Sequence, residues 1–173
     1  MKRGVDIDEY LLPLDQKAVQ CYLSDEIQVA DLIEWIIGQI GRCQIWQTSF
    51  SISEEFLRRL YFIEKKKEVE DFTLILDLKA TQKTLRLWVF MKQVMSKCYL
   101  AANHSKVLLF RGLNGAFVTV ITSQNLTRGN RFESALVTTE QHVFDTMFAY
   151  IQDVINNHSV PFHDIYRATT GRD

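Results

Sequence analysis

Two hydrophobic periods alternate along this chain, and that alternation leaves few folds open to it. Apolar residues recur at three- and four-residue spacing over Val29, Ile33, Ile36, Ile37 and Ile40, the pattern of a helix with one buried face. The run Cys43-Gln44-Ile45-Trp46-Gln47-Thr48 that follows has strand composition. The exchange then repeats. Phe56, Leu57, Leu60, Tyr61 and Ile63 supply a second helical face, and Phe72 to Leu78 reads as a buried strand. Thr81 to Lys97 is predicted as one long helix carrying Leu85, Trp88, Val89, Met91, Val94 and Met95. Three strands follow, at Lys106–Arg111, Ala116–Thr122 and Ser134–Thr138, with Asn114-Gly115 as a hairpin turn between the first two. A last helix presents Phe144, Met147, Phe148, Ile151 and Ile155. Helix–strand alternation ending in a β-rich segment predicts an α/β fold, a mixed β-sheet flanked by helices.

Local signals place the ends of these elements. Asp25 is the expected N-cap of the first helix and Gly41 its end. The second helix is expected to begin near Ser51 to Ser53, and Ser51 with Glu54, like Thr138 with Gln141, has capping-box spacing. Glu54 and Glu55 suit the positive start of the second helix, and Lys65-Lys66-Lys67 suit its negative end. After Asn157 the chain turns polar and is expected to pack loosely. No repeat or Pro/Gly/Ser linker divides the 173 residues, which hold only seven Gly and two Pro. Collagen-like and disordered readings are excluded on that count, and twenty aromatics are enough for a core without staples. The organisation expected is an N-terminal extension over 1–25, one domain over 26–157 and a tail over 158–173.

Twenty Lys and Arg against twenty-one Asp and Glu give a formal net charge of −1. The chain is no global polycation, and nucleic-acid binding would need a local basic patch. Lys65–Lys67, Lys79, Lys83, Arg86, Arg128 and Arg131 are the candidates. The start has basic residues but no apolar stretch of a secretory signal. The longest uncharged run, Gly112 to Thr127, is too short and too polar for a membrane span. Cys21, Cys43 and Cys98 are odd in number and lack metal-ligand spacing, which predicts buried thiols in a cytoplasmic protein.

Chemistry gathers between Asn103 and Thr139. His104 and Lys106 stand two apart at a strand start, so both side chains can point to one face. A neighbouring ammonium favours a neutral, nucleophilic imidazole. Ser123 and Asn125 lie just past the paired strand and can reach the same sheet end. Glu133 opens the next strand, where its carboxylate could fix the tautomer of a histidine. A nucleophile, cationic and amide donors for phosphate oxygens, and an orienting carboxylate together suit phosphoryl transfer through histidine. His142, His158 and His163 have no such surroundings.

His104-x-Lys106, Ser123-x-Asn125-Leu126-Thr127 and Glu133, in that order, resemble the half-site motif of the phospholipase D superfamily. Ile45 to Thr48 with Phe50-Ser51 resembles the family's first strand and helix start, and the strand ending in Asp77 its second strand. The resemblance spans about residues 26 to 157. It implies that His104 attacks phosphorus, that Lys106 and Asn125 bind the non-bridging oxygens, that Glu133 holds the far nitrogen of His104, and that Ser123 supports the site. Arg128 and Arg131 flank the loop and could contact substrate phosphates. No cofactor and no metal are implied. The sequence departs from the motif twice: Arg111 stands where the family has Asp, five residues after the Lys, and Thr122 where it has Gly before the Ser.

The reaction needs two histidines, one to attack and one to protonate the leaving oxygen. One half-site therefore implies a homodimer with the site on its two-fold axis. The expected function is a metal-independent phosphodiesterase, a nuclease acting on DNA through a phosphohistidine. The alternative is a catalytically degenerate binding or structural module, tied to phage or other mobile DNA, which Arg111 and the near-neutral charge favour.

Overall fold

The computed structural model describes residues 5–65 and 68–171. Eight strands form one mixed sheet: β1 (Val19–Ser24), β2 (Cys43–Ser49), β3 (Val69–Asp77), β4 (Lys97–Ala101), β5 (Val107–Gly112), β6 (Phe117–Thr122), β7 (Glu133–Thr138) and β8 (Ser159–Pro161). Their order across the sheet is β1-β7-β6-β5-β2-β3-β4-β8. β2, β3 and β4 run parallel, and every other neighbouring pair is antiparallel. Parallel neighbours need crossovers, which α2 (Glu54–Lys65) and α3 (Thr81–Met91) supply. The remaining helices are α1 (Val29–Ile40), α4 (Gln141–Asn157) and α5 (Phe162–Thr170).

The central strands β2, β3 and β5 are buried on both faces and read as nearly continuous apolar runs, while β1 and β7 alternate exposed and buried residues. On β5, Leu108 and Phe110 join the core beneath α1, α2, α3 and α5, with Ile33, Ile36, Leu57, Leu60 and Phe162. Val107 and Leu109 face the other way and pack with Trp46, Ile75, Phe144 and Ile151 under α4. This is the predicted α/β fold.

Several local expectations are corrected. The first helix starts three residues later than an Asp25 cap would give: Gln28 precedes it, and the Gln28 N–H donates to the Asp31 carboxylate at 2.9 Å. Ser53 rather than Ser51 caps α2, accepting from Phe56 N at 3.2 Å. α3 stops at Met91, because the chain turns through Lys92–Met95 and re-enters the sheet as β4. The tail does not pack loosely: β8 pairs with β4, and Phe162 is fully buried against Trp88, with ring centroids 4.7 Å apart. At the other end β1 pairs with β7, and Ile7, Leu11 and Leu14 join the core. Cys43 and Cys98 are buried thiols, but Cys21 is exposed on β1. No helix among the described residues is long and apolar enough to cross a membrane.

Candidate active site

The pairing pattern brings the C-terminal ends of β1, β2, β3, β4 and β6 and the N-terminal ends of β5 and β7 to one edge of the sheet. Open α/β sheets bind ligands outside the carboxyl ends of their parallel strands. All five motif residues lie at this edge. His104 and Lys106 are in the loop between β4 and β5, Ser123 and Asn125 follow β6, and Glu133 opens β7. His104 and Ser123 are exposed, while Lys106, Asn125 and Glu133 are half-buried.

The histidine loop is held from beneath. Asp77, buried at the end of β3, accepts from Asn103 N at 2.9 Å with one carboxylate oxygen and from Lys79 N at 2.8 Å with the other. The Asn103 side chain donates to Ser49 O at 3.3 Å. Thr48, buried on β2, accepts at its hydroxyl from Val107 N at 3.0 Å and from Ser105 Oγ at 2.8 Å. Lys106 Nζ donates to the His104 carbonyl at 3.1 Å, so its ammonium stands beside the histidine's backbone. The imidazole packs against Phe50, with ring centroids 5.2 Å apart and planes tilted by 58°.

A second set of bonds fixes the Ser123–Asn125 loop. Thr122 N donates to Lys106 O at 3.0 Å, joining the two motif segments directly. The Thr122 hydroxyl donates to Ser134 O at 2.8 Å and accepts from Gln124 N at 3.1 Å. The residue in the family's Gly position therefore braces the turn. Asn125 Oδ1 accepts from Phe50 N at 3.3 Å and Ser49 Oγ at 3.5 Å, which leaves its NH2 group as the donor for a ligand. Gln124 Nε2 reaches Ile27 O at 2.6 Å, and Gln28 bonds both ways with the Gly129 backbone.

Ser123 Oγ donates to the Glu133 carboxylate and accepts from Ser134 N at 3.0 Å. Ser123 and Glu133 are thus brought together, as are Lys106 and His104. Asn125 reaches the histidine through Phe50. Among the described residues the imidazole of His104 has no carboxylate partner, and the Glu133 carboxylate is turned to Ser123. Tyr22 on β1 is a buried neighbour that the sequence did not single out. Burial first, then the charges of Asp31 and Glu133, hold its hydroxyl well above the ordinary phenol range. Phe50, Asp77, Asn103 and Thr48 were missed too; Thr48, Phe50 and Asp77 had a signal, as members of the matched strand ends.

The flanking arginines behave differently from the motif. Arg128 is paired with Glu55 of α2 at 2.8 Å, and Arg131 is exposed. Arg111 lies at the far end of β5, about 16 Å down the strand from Lys106. Its guanidinium sits 4.6 Å from the Phe148 ring, 5.2 Å from Trp46 and 5.3 Å from Phe144. Lys65 is at the far end of α2, its Nζ 4.7 Å from the Tyr61 ring, and Lys66 and Lys67 fall outside the described residues. No three His, Cys, Asp or Glu side chains among the described residues group closely enough to hold a metal ion.

No protein-family sequence model and no curated protein matches the chain. Solved structures do. Nuc from Salmonella typhimurium, a phospholipase D family member, superposes on 82% of this chain and 95% of its own, at 17% identity and a TM-score of 0.61. NucT from Helicobacter pylori covers 81% and 98%, at 12% identity and a TM-score of 0.56. The phosphatidylserine synthase of Haemophilus influenzae Rd KW20 matches 83% of this chain with 39% of its own, at 14% identity and a TM-score of 0.58. The eight-stranded sheet with its five helices is the phospholipase D fold.

Proposed function

We propose that this chain is a metal-independent phosphodiesterase, a nuclease acting on DNA, that works as a homodimer with a shared active site. The observation that carries the reading is the meeting of His104, Lys106, Ser123, Asn125 and Glu133 at one sheet edge of a phospholipase D fold. They come from three separate loops and strand ends, and no packing requirement calls for those residue types together.

In the proposed reaction one ring nitrogen of His104 attacks phosphorus while Glu133 holds the other. A P–N bond forms and the P–O bond to the leaving group breaks. The leaving oxygen takes its proton from the partner subunit's His104. Water then attacks, giving a proton back to the partner subunit's His104, and the P–N bond breaks to release phosphate monoester and free His104. Lys106 and the Asn125 amide meet the charge on the non-bridging oxygens. Glu133 reaches the imidazole only by leaving Ser123, so we assign Ser123 the role of holding that carboxylate between turnovers.

The degenerate-module alternative rested on Arg111 and the near-neutral charge, and Thr122 was the other departure from the motif. Arg111 is at the wrong end of its strand to disturb the chemistry, and Thr122 supports the loop that carries Ser123. Both observations favour the enzyme. The test is cleavage of single- and double-stranded DNA in EDTA. Cleavage that persists in chelator and vanishes in His104→Ala is expected; activity restored only by magnesium would end the mechanism. Mixing wild type with excess His104→Ala subunits should leave activity that follows the square of the wild-type fraction, since a heterodimer lacks one of the two imidazoles. A linear dependence would show each subunit working alone.

A further inference from the structure

Between Asp77 and Glu133 the chain has no carboxylate side chain: residues 78–132 hold nine Lys and Arg and not one Asp or Glu. The net charge of −1 conceals this division. Three of these cations, Lys79, Lys83 and Arg86, lie at the start of α3, whereas Arg128 lies on the α1–α2 side among acids. On the α1–α2 side a cavity of about 750 Å³ reaches Asn125 and is lined by Asp25, Glu26, Asp31 and Glu55. The arginines there are already engaged: Arg59 by Asp31 at 2.6 Å and Glu34 at 2.5 Å, Arg128 by Glu55.

The α3 side is the reverse. Lys79, Lys83 and Arg86 are exposed, and among the described residues none is in an ion pair. Lys83 and Arg86 are three apart on α3 and share a face, and Lys79 lies in the 3-10 turn Leu78–Ala80 that leads into that helix, so the three follow one another over about 10 Å. The row begins at the site. The Asp77 carboxylate that receives Lys79 N also receives the N–H of Asn103, the residue before His104.

We infer that Lys79, Lys83 and Arg86 form the track along which one strand of nucleic acid enters the site, an inference that rests on the nuclease reading above. A row one side chain wide, without acids, fits a single phosphodiester backbone. The acidic cavity repels the same backbone, so the strand is steered to the α3 side. An anionic bilayer fits less well. A surface-lying helix needs its apolar face free for lipid, and here Trp88 and Met91 are buried in the core with Leu85 and Phe90 packed against it.

The test is equilibrium binding of a fluorescein-labelled oligothymidylate to the full chain carrying His104→Ala, which cannot cut it. Lys79→Gln/Lys83→Gln/Arg86→Gln is compared with a charge-matched control, Lys17→Gln/Arg42→Gln/Arg58→Gln, both checked for unchanged melting. Loss of three phosphate contacts should make the slope of log affinity against log salt shallower by about 2 and weaken binding about 100-fold near 0.1 M salt. The control should bind within about threefold of the parent. Equal losses in both variants, or no loss in the α3 variant, would overturn the inference. So would an α3 variant that loses binding to phosphatidylserine vesicles while keeping the oligonucleotide. Hydrolysis of bis(4-nitrophenyl) phosphate by the wild-type chain in EDTA reads the site alone, so the track and the nuclease reading fail separately.

Discussion

The two ends of strand β5 stand in opposite relation to the phospholipase D motif that the sequence resembles. At the N-terminal end His104 and Lys106 sit in a loop held by Asp77, Asn103, Ser105 and Thr48. At the other end the motif's acid is gone, and Arg111 lies among the rings of Trp46, Phe144 and Phe148. A carboxylate could not be exchanged for a guanidinium at the chemical end without inverting the charge seen by phosphate. At the ring end the exchange is tolerable, because the negative faces of three aromatic rings attract a cation. Departure from a motif therefore carries meaning only once the residue has been placed. Arg111 packs against the rings under α4, and the end proposed to meet substrate holds His104 and Lys106.

The sharpest way to break this contrast is to alter the chemical end. His104→Ala removes both the nucleophile and, in a dimer, the general acid, so DNA cleavage should fall by about 10⁴-fold or more. Because His104 is exposed, the unfolding free energy should change little, within about 0.5 kcal/mol. A large loss of stability would mean that His104 is structural.

The converse substitution, Arg111→Asp, restores the family's residue and should do harm. It removes the cation–π contacts and sets a carboxylate against ring faces, a cost of about 2 kcal/mol. For a chain of this size that lowers Tm by about 4–8 °C. Cleavage per folded molecule should stay within about threefold of wild type. A rise of tenfold or more in activity would show that Arg111 suppresses the site and that the two ends of β5 are not independent.

A smaller effect sharpens the picture of the ring end as a sealed one. Cys43 pairs in register with Gly112, next to Arg111. Burial, with the charge of Glu68 adding to it, pushes the Cys43 thiol up to about 12. An unfolded thiol ionises near about pH 8.5, so the unfolded chain gives up this proton first. The stabilisation is complete below about pH 8.5 and is lost as pH rises toward about 12. Urea midpoints measured across that window should fall less steeply for Cys43→Ala than for wild type. Identical slopes would mean that the thiol is already open to solvent.

Much of this architecture was legible because its signals are local. Helical spacing marks α1, α2 and α4, and Asn114-Gly115 marks the β5–β6 hairpin, where Gly115 takes a φ of 88°. Strands β1, β4 and β8 escaped: β1 alternates over six residues within what reads as an N-terminal extension, and the local signals of the other two are shared or short. Cys98-Tyr99-Leu100-Ala101 prolongs the apolar spacing of α3, and a short apolar run does not distinguish helix from strand. β8 is three residues long and exists through its pairing with β4. The motif residues were visible in sequence, but their supports were not. Gln28 and Gly129 are bonded across 101 positions, and Asp77 and Asn103 across 26. Contacts at such separations leave no periodicity behind them. Nor could spacing show that Glu133 would turn to Ser123, because that choice is made between side chains that meet only after β6 and β7 have paired.

The central claim is that the imidazole at the chemical end of β5 becomes covalently bonded to phosphorus. It is tested most directly by rapid alkaline quench of the wild-type protein during cleavage of a DNA oligonucleotide in EDTA, followed by peptide mass spectrometry. The account predicts a nucleotidyl phosphate on the peptide containing His104, stable in alkali and lost in acid, and absent from His104→Ala. Turnover under the same conditions with no adduct, or with the adduct on another residue, would contradict it.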